Sequence, residues 1–303
     1  MRWKTKALIQ GAFSRMPAGE SLNYLCQRRI FRSLPVDDSV FHEKAGIARR
    51  HLEHLTEYGH IPVGDAHFYE FGAGKDLILP LCLYCHGANE QLLVDIRPLA
   101  RDELVLDTLR RLDAGVVPGL PRTPGPRPAG AGLQAHLAAL GITYRAPCDA
   151  RETELPDQSV DYITSTSTLE HIAEPDIRLI LRESRRILRP EGRMSMFVDY
   201  QDHFSYADTS ISAYNFLQYD DREWARWSPS LQFQNRLRHS DYLALFEEAG
   251  FEILDDRPTT GSPEDLEVVR TLAVGDRFRS RSEQDLGVRN SFVTVKPALG
   301  PPE

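Results

Sequence analysis

Three carboxylic acids stand at the ends of successive apolar segments and could bind one ligand together. Glu70 closes the segment HFYEF, Asp95 lies near the end of LLVDI, and Asp149 follows a third, weaker segment. If these segments are parallel strands, the three side chains converge, because parallel sheets bind ligands beyond the carboxyl ends of their strands. Carboxylates there suit a ligand that carries an amine and a ribose but no phosphate. Each acid alone could be a strand-end residue that is simply exposed to water. The occurrence of all three acids at the ends of successive strands is what favours a binding site.

A glycine-containing turn follows Glu70 directly. Gly72 and Gly74 would let the chain turn tightly and bring its backbone close to a ligand, at the start of a helix with free N–H groups. The dinucleotide-binding fingerprint requires a third glycine, and Leu77 stands in its place. This difference weakens a nicotinamide or flavin interpretation, and an oxidoreductase remains the weakest alternative.

A candidate general base lies just past the fifth apolar segment, in the sequence DYQDH. His203 could accept a proton near neutral pH, with Asp199 or Asp202 orienting its ring. The same side chains could instead hold Mg²⁺, which prefers carboxylate oxygens, or could simply pair with one another on a surface loop. We favour the general base and assign no metal site.

The segment 204–239 is rich in aromatic side chains, amides and arginine. Stacking surfaces mixed with such polar groups suit a hydroxyl-rich acceptor such as a sugar, although a small helical cap with its own core would show the same composition. Both interpretations can hold together. The candidate acceptor-binding residues are Tyr214, Asn215, Trp224, Asn235, Arg236 and His239.

The elements that must position these residues alternate between strands and helices. Helical patterns separate most of the predicted strands, which indicates a doubly wound α/β fold with a seven-stranded, mostly parallel sheet. One of the last two strands is expected to run antiparallel. The strands are predicted at 67–71, 92–96, 142–146, 160–165, 193–198, 251–254 and 291–295.

The order of these motifs resembles that of the class I S-adenosylmethionine-dependent methyltransferases, which are Rossmann-like. The resemblance covers about residues 66–200 and, more loosely, 240–297. The family usually has a further glycine where this chain has Asp76. The matching motifs are YEFGAG at 69–74, VDI at 94–96, CDA at 148–150, LPDQSVDY at 155–162, STLEHI at 167–172, RILRPEGR at 186–193 and YLALFEEAGF at 242–251.

The resemblance implies S-adenosylmethionine as cofactor and S-adenosylhomocysteine as product. It also implies ten cofactor contacts, which differ in the part of the cofactor they face. They are Glu70, Gly72 and Gly74 at the methionine, Asp95 at the ribose, Ile96, Asp149 and Ala150 at the adenine, and Thr166, Ser167 and His171 along the border of the site.

These features predict an enzyme that methylates a hydroxyl of a small molecule or glycan, of the natural-product or surface-polysaccharide type. The alternatives are an N-methyltransferase of a small molecule and a catalytically inactive S-adenosylmethionine-binding module. The expected organisation is a helical extension or lid at 1–60, a cofactor-binding core at 61–203, an acceptor cap at 204–239 and the rest of the core sheet at 240–303.

The charge of the chain limits the kinds of partner that it would attract. The formal charge of −8 gives no general attraction to nucleic acids. Residues 1–34 hold seven Lys or Arg and only one acid, so this segment could rest on an anionic membrane, although packing on its own domain is our preferred interpretation. The chain shows no secretory signal, which predicts a cytoplasmic protein whose four cysteines are free thiols. The oligomeric state is left open.

Overall fold

The computed structural model describes residues 1–127, 130 and 132–300, and in these residues seven strands form one sheet. Their order across the sheet is β3-β2-β1-β4-β5-β7-β6, with β7 antiparallel to both of its neighbours and the pairs from β3 to β5 parallel. The predicted doubly wound fold with one antiparallel strand near the end is confirmed. The strands are β1 His67–Phe71, β2 Glu90–Val94, β3 Ile142–Arg145, β4 Val160–Thr166, β5 Leu188–Asp199, β6 Phe251–Thr260 and β7 Val288–Pro297.

Helices cover both faces of this sheet and extend beyond it. None of the helices in the described ranges combines the length and hydropathy needed to cross a membrane. The four cysteines are free, and Cys82 and Cys85 lie buried in α4. The helices are α1 Trp3–Phe13, α2 Gly19–Arg29, α3 Asp38–Tyr58, α4 Ile78–Cys85, α5 Asp102–Asp113, α6 Leu133–Ala139, α7 Glu174–Ile187, α8 Asp221–Trp224, α9 His239–Glu248, α10 Pro263–Thr271 and α11 Glu283–Gly287.

Strand β6 is longer than its hydrophobic pattern predicts. The apolar run ends at Leu254, but pairing with β7 continues as far as Thr260 through a polar, largely exposed segment. Backbone hydrogen bonds to a neighbouring strand stabilise this part of β6, and they leave no trace in side-chain hydropathy. For the same reason β5 begins at Leu188, five residues before the predicted start.

Helix α3 is a layer of the core rather than part of a lid. Phe41, Ala45, Ala48, Leu52 and Leu55 form one buried stripe at alternating spacings of four and three residues. The stripe packs in the same apolar cluster as α4. Of the helical region predicted at 1–60, only α1 and α2 therefore lie outside the layers that cover the sheet.

The cap is built from three separate stretches of chain. Trp3 of α1 packs on aromatic rings of 204–239, and Phe278 and Leu286 from the β6–β7 connection join the same cluster. The predicted boundary, which gave all of 240–303 to the core sheet, is therefore revised. Residues 261–287 leave the sheet and complete the cap.

The cap should be sensitive to the size of the side chain at position 3. Trp3 is 6% exposed, and its ring lies 5.5 Å from that of Phe204. Trp3→Phe leaves unfilled space in this cluster, so we expect it to lower the free energy of unfolding by about 1–2 kcal/mol in denaturant titrations. Leu8→Ala, on the 63%-exposed side chain of the same helix, should change stability by less than about 0.5 kcal/mol. Equal losses in the two variants would contradict this view of the cap.

The stretch between α5 and α6, residues 115–132, is rich in proline and glycine, a composition that predicts a loop rather than a helix or strand. Its residues 115–127 contain no helix or strand. Positions 128, 129 and 131 fall outside the described residues.

Candidate functional site

A cavity of about 530 Å³ opens at the carboxyl ends of β1, β2 and β4. This volume lies in the usual range for small-molecule sites, and its position is where parallel sheets bind ligands. The walls come from the glycine turn, the ends of β2 and β3, the turn after β4, and two stretches outside the sheet. These last two are Glu20, Asn23 and Gln27 of α2, and 230–233 of the cap.

The glycine turn has the conformation that its sequence demands. Gly72 and Gly74 both have φ of 79°, which side chains other than glycine rarely adopt. A Cβ atom at Gly72 would lie 2.3 Å from Oγ1 of Thr168. Thr168 thus packs directly on the turn and also lines the cavity, a contact that the sequence did not reveal.

Asp95 presents a buried carboxylate to the cavity. It is 4% exposed, and its Oδ2 accepts a hydrogen bond of 3.0 Å from the Tyr144 hydroxyl. The Tyr144 oxygen in turn accepts the N–H groups of Leu99 and Ala100 at 3.1 and 3.2 Å, which fixes its position. Burial raises the pKa of Asp95 to about 7, against the opposing hydrogen bond from Tyr144. Tyr144 was missed because its partner lies on another strand.

Glu70 lies beneath the cavity rather than in its wall. It is 3% exposed, is absent from the cavity lining, and its Oε2 has no hydrogen-bond partner. Burial, and then the neighbouring charge of Asp95, raise the pKa of Glu70 to about 8. Its carboxyl group therefore influences the cavity through its charge interaction with Asp95 and not by direct contact with a ligand.

Asp149 stands at the outer edge of the cavity and is already paired. Arg151 donates to its carboxylate from Nη2 at 2.6 Å and from the backbone N–H at 2.9 Å, and these bonds hold the pKa of Asp149 below its usual range. The adjoining Ala150 also lines the cavity.

His171 forms the border between the cavity and the cap. Its Nδ1 lies 2.7 Å from the carbonyl oxygen of Phe233, and since a carbonyl only accepts, Nδ1 carries the hydrogen. Although the residue is exposed overall, protein packed around its ring, and then the charge of His203, lower the pKa of His171 to about 4. Thr166, by contrast, bonds to His51 at 2.9 Å and does not line the cavity.

The structure thus brings most of the predicted cofactor contacts to one cavity. Glu70 and Thr166 are the two that it places elsewhere. Those that line the cavity are Gly72, Gly74, Asp95, Ile96, Asp149, Ala150, Ser167 and His171.

His203 pairs with Asp199 and not with Asp202. His203 is 8% exposed, and its Nε2 lies 3.3 Å from Oδ2 of Asp199. Burial alone would raise the pKa of Asp199, but bonds from His203 and from the Tyr206 hydroxyl hold it below its usual range. Asp202 instead accepts the side-chain amide of Asn215 at 2.8 Å, and therefore fastens the cap.

His203 does not line the cavity itself, but its ring contacts that of His171, which does. The rings of His203 and His171 meet edge to face with centroids 4.8 Å apart. Glu170 lies beside them, 3% exposed, and burial raises its pKa far above the ordinary value. The sequence offered Glu170 only as part of a motif and gave no sign of its burial.

The candidate acceptor-binding residues hold the cap together instead of lining the main cavity. Tyr214 donates to the Gly287 carbonyl, Asn215 to Asp202, and His239 pairs with Asp256 at 2.8 Å. Trp224, Asn235 and Arg236 border a separate hollow of about 340 Å³.

The amide of Asn235 already donates to the Leu169 and Ile172 carbonyls, and Arg236 donates to those of Phe216 and Tyr219. The donors of Asn235 and Arg236 are thus engaged within the chain, whereas Nε1 of Trp224 is buried without a hydrogen-bond partner. Acceptor contact by these residues stays a prediction.

Helix α2 contributes part of the cavity wall. Glu20 lies 3.4 Å from Arg97, and Lys75 donates to Gln27 at 3.1 Å. Both contacts join α2 to loops that follow β1 and β2. The lid role expected for the N-terminal region stays a prediction, and α2 is the part of that region that lines the cavity.

Comparison with known proteins gives one match by sequence. Residues 132–196 match the family described as a methyltransferase domain, and this stretch includes Asp149, Ser167 and His171. No curated protein matches the chain.

Several solved structures have a similar architecture at low identity. The [4+2]-cyclase SpnF is 14% identical, with 84% of this chain and 82% of that chain covered and a TM-score of 0.48. Geranyl diphosphate C-methyltransferase from Streptomyces coelicolor A3(2) is 12% identical, with 84% and 79% covered and a TM-score of 0.49. A TehB-like methyltransferase from Corynebacterium glutamicum ATCC 13032 is 14% identical, with 93% and 100% covered and a TM-score of 0.45.

Proposed function

We propose that this chain, whose residues 132–196 match a methyltransferase domain, uses S-adenosylmethionine to methylate a hydroxyl group of a small molecule or glycan. The acceptor would be of the natural-product or surface-polysaccharide type. The cofactor supplies an electrophilic methyl group on a positively charged sulfur. The chain must therefore bind the cofactor, exclude water and direct an acceptor oxygen at that methyl group.

The cavity has the donors and acceptors that the cofactor requires. The carboxylate of Asp95 would accept both ribose hydroxyls, held in place by Tyr144. Ile96 and Ala150 would flank the adenine, and the close turn at Gly72 and Gly74 would receive the methionine end. Asp149 would hold the outer edge through its pairing with Arg151.

The observation that carries the choice of oxygen is the buried His203–Asp199 pair. A neutral hydroxyl is a poor nucleophile, so its methylation benefits from a base that removes the proton as the bond forms. Asp199 orients the ring and stabilises the imidazolium that results. The ring contact between His203 and His171, which lines the cavity, supports this role because it would put the base one ring away from the cofactor. An amine acceptor would not need such a pair.

Methyl transfer can be tested directly. The protein is incubated with S-adenosylmethionine that carries an isotopically labelled methyl group, and with sets of hydroxylated small molecules, oligosaccharides and amines. We expect label to appear on hydroxyl acceptors, detected by mass spectrometry. Label only on amines would support N-methylation, and no label with any set, despite cofactor binding, would support an inactive binding module.

Cofactor binding should depend on pH through Asp95. In the empty site the pKa of this carboxyl is about 7, and ribose hydroxyls donate best to the ionised form. Binding should therefore lower that pKa and release a proton, so that affinity for S-adenosylhomocysteine rises between about pH 6 and about pH 8. Calorimetry in two buffers of different ionisation enthalpy measures the proton release. Asp95→Asn should remove the effect, whereas Glu70→Gln should retain it, and the reverse pattern would contradict this assignment.

A further inference from the structure

One buried carboxyl group beside the cavity has no partner. Glu170 lies in the short turn Leu169–His171 after β4, is 3% exposed, and neither of its carboxylate oxygens forms a hydrogen bond. Burial removes such a group from water, and only the nearby backbone N–H groups of Glu170 and Asp199, which do not reach full hydrogen-bond geometry, offset part of that cost. The proposed methyl transfer assigns Glu170 no role. A missing positively charged ligand would explain its position.

Two histidines face the same point as this carboxyl group. Glu170, His171 and His203 each offer one ligand atom, and these atoms lie within 4.8 Å of one another. Ligands about 2.0–2.2 Å from one ion in a tetrahedral site lie about 3.3–3.6 Å apart, so a bound ion would draw the most widely separated of the three together by about 1 Å.

The surroundings of both rings are those of metal-binding histidines. His171 donates from Nδ1 to the Phe233 carbonyl, which leaves the lone pair of Nε2 free. His203 has Asp199 at 3.3 Å from Nε2. A second bond from the ring to a carbonyl or carboxylate is what orients histidine ligands in metal sites.

No cationic side chain competes for this carboxyl group. In the part of the chain that the structure describes, no Lys or Arg forms an ion pair with Glu170 or Asp199, and the only ion-pair partner of Asp199 is His203. A divalent ion could therefore bind Glu170 without displacing a cation of the protein.

We propose that Glu170, His171 and His203 bind a divalent transition-metal ion of the Zn²⁺ or Mn²⁺ type. Two imidazoles and one carboxylate suit these ions, whereas Mg²⁺ prefers oxygen ligands alone. Three protein ligands leave a coordination position open, and His171 borders the cofactor cavity. The role of the ion, but not its binding, rests on the proposed function. An acceptor hydroxyl in the open position would lose its proton to solvent water more readily, and its oxygen would bond to the methyl carbon as the S–CH₃ bond breaks. In that state His203 is a ligand, and it is the base only when no metal ion is bound.

Metal binding can be measured without turnover. Protein freed of metal with EDTA is titrated with Mn²⁺, and the electron paramagnetic resonance signal of free Mn²⁺ reports the bound fraction. We expect one tight site per chain, displaced by Zn²⁺ but poorly by Mg²⁺, with electron spin echo modulation from two histidine nitrogens. Glu170→Gln and His171→Gln should each weaken binding at least about tenfold.

Two matched variants control for surface sites and for general loss of structure. Glu247→Gln removes an exposed acid, and His239→Gln removes another buried histidine that is paired with a carboxylate. Both should bind Mn²⁺ as the unaltered protein does. The proposal is overturned if the unaltered protein binds neither Mn²⁺ nor Zn²⁺, or if Glu170→Gln binds equally well.

Binding of S-adenosylhomocysteine is measured on Glu170→Gln and on the two controls as a test of folding, and the thermal unfolding midpoint is measured on His171→Gln, because His171 lines the cofactor cavity. Methyl transfer in the presence of EDTA tests the proposed function separately, so failure of the metal site and failure of the methyltransferase can be told apart.

Discussion

His203→Ala should lower kcat for hydroxyl methylation by about 10²–10⁴-fold, because the acceptor proton then has no base to accept it. The Kd for S-adenosylhomocysteine should stay within about twofold of the unaltered value, since His203 does not line the cofactor cavity. Asp199→Asn should have a smaller effect of the same kind, because the ring remains but is no longer oriented by a charge. Labelled-methyl transfer under saturating cofactor measures both.

The conditions of this experiment separate the base from other roles of the same residue. Rates are taken with EDTA present, so that a metal ion does not substitute for the base. His60→Gln, on an exposed histidine ahead of β1, serves as the control and should leave kcat unchanged. An unchanged rate in His203→Ala would contradict the base and favour an amine acceptor, which loses its proton to water.

Asp95→Ala should weaken S-adenosylhomocysteine binding by about 30–150-fold, or about 2–3 kcal/mol. Hydrogen bonds to a charged acceptor contribute about 1.5–3 kcal/mol each, and the ribose would lose two of them while water enters the site. Isothermal titration calorimetry above the pKa of Asp95, at about pH 8, measures the loss with the carboxylate ionised.

Two further variants show whether the loss of affinity is specific to the Asp95 carboxylate. Asp65→Ala removes an exposed acid before β1 and should bind as the unaltered protein does. Tyr144→Phe keeps the carboxylate but removes its 3.0 Å hydrogen bond, so it should weaken binding by a few-fold only. Full affinity in Asp95→Ala would place the ribose elsewhere and would remove the main support for the cofactor orientation described above.

Local sequence determined the sheet and the cofactor end of the site. Strands show in side-chain alternation, and Gly72, Gly74 and Asp95 stand directly beside strand ends, so the fold carries them to one edge of the sheet. Such positions depend on neighbours within a few residues. The resemblance to methyltransferases followed from the order of these local motifs.

Only the tertiary structure decided which side chains that are far apart in the sequence contact one another. It paired Asp199 rather than Asp202 with His203, placed Tyr144 against Asp95, and brought 261–287 into the cap. It also showed that Arg236 is engaged within the chain, although its composition had suggested an acceptor contact.

The physical reason is that hydrogen-bond pairing and burial depend on which side chains the fold brings together, and residues far apart in sequence carry no periodic sign of their contact. Glu170 is the clearest example, since the same Leu-Glu-His sequence would suit an exposed carboxylate, and only the packing around it leaves that group buried beside two histidines.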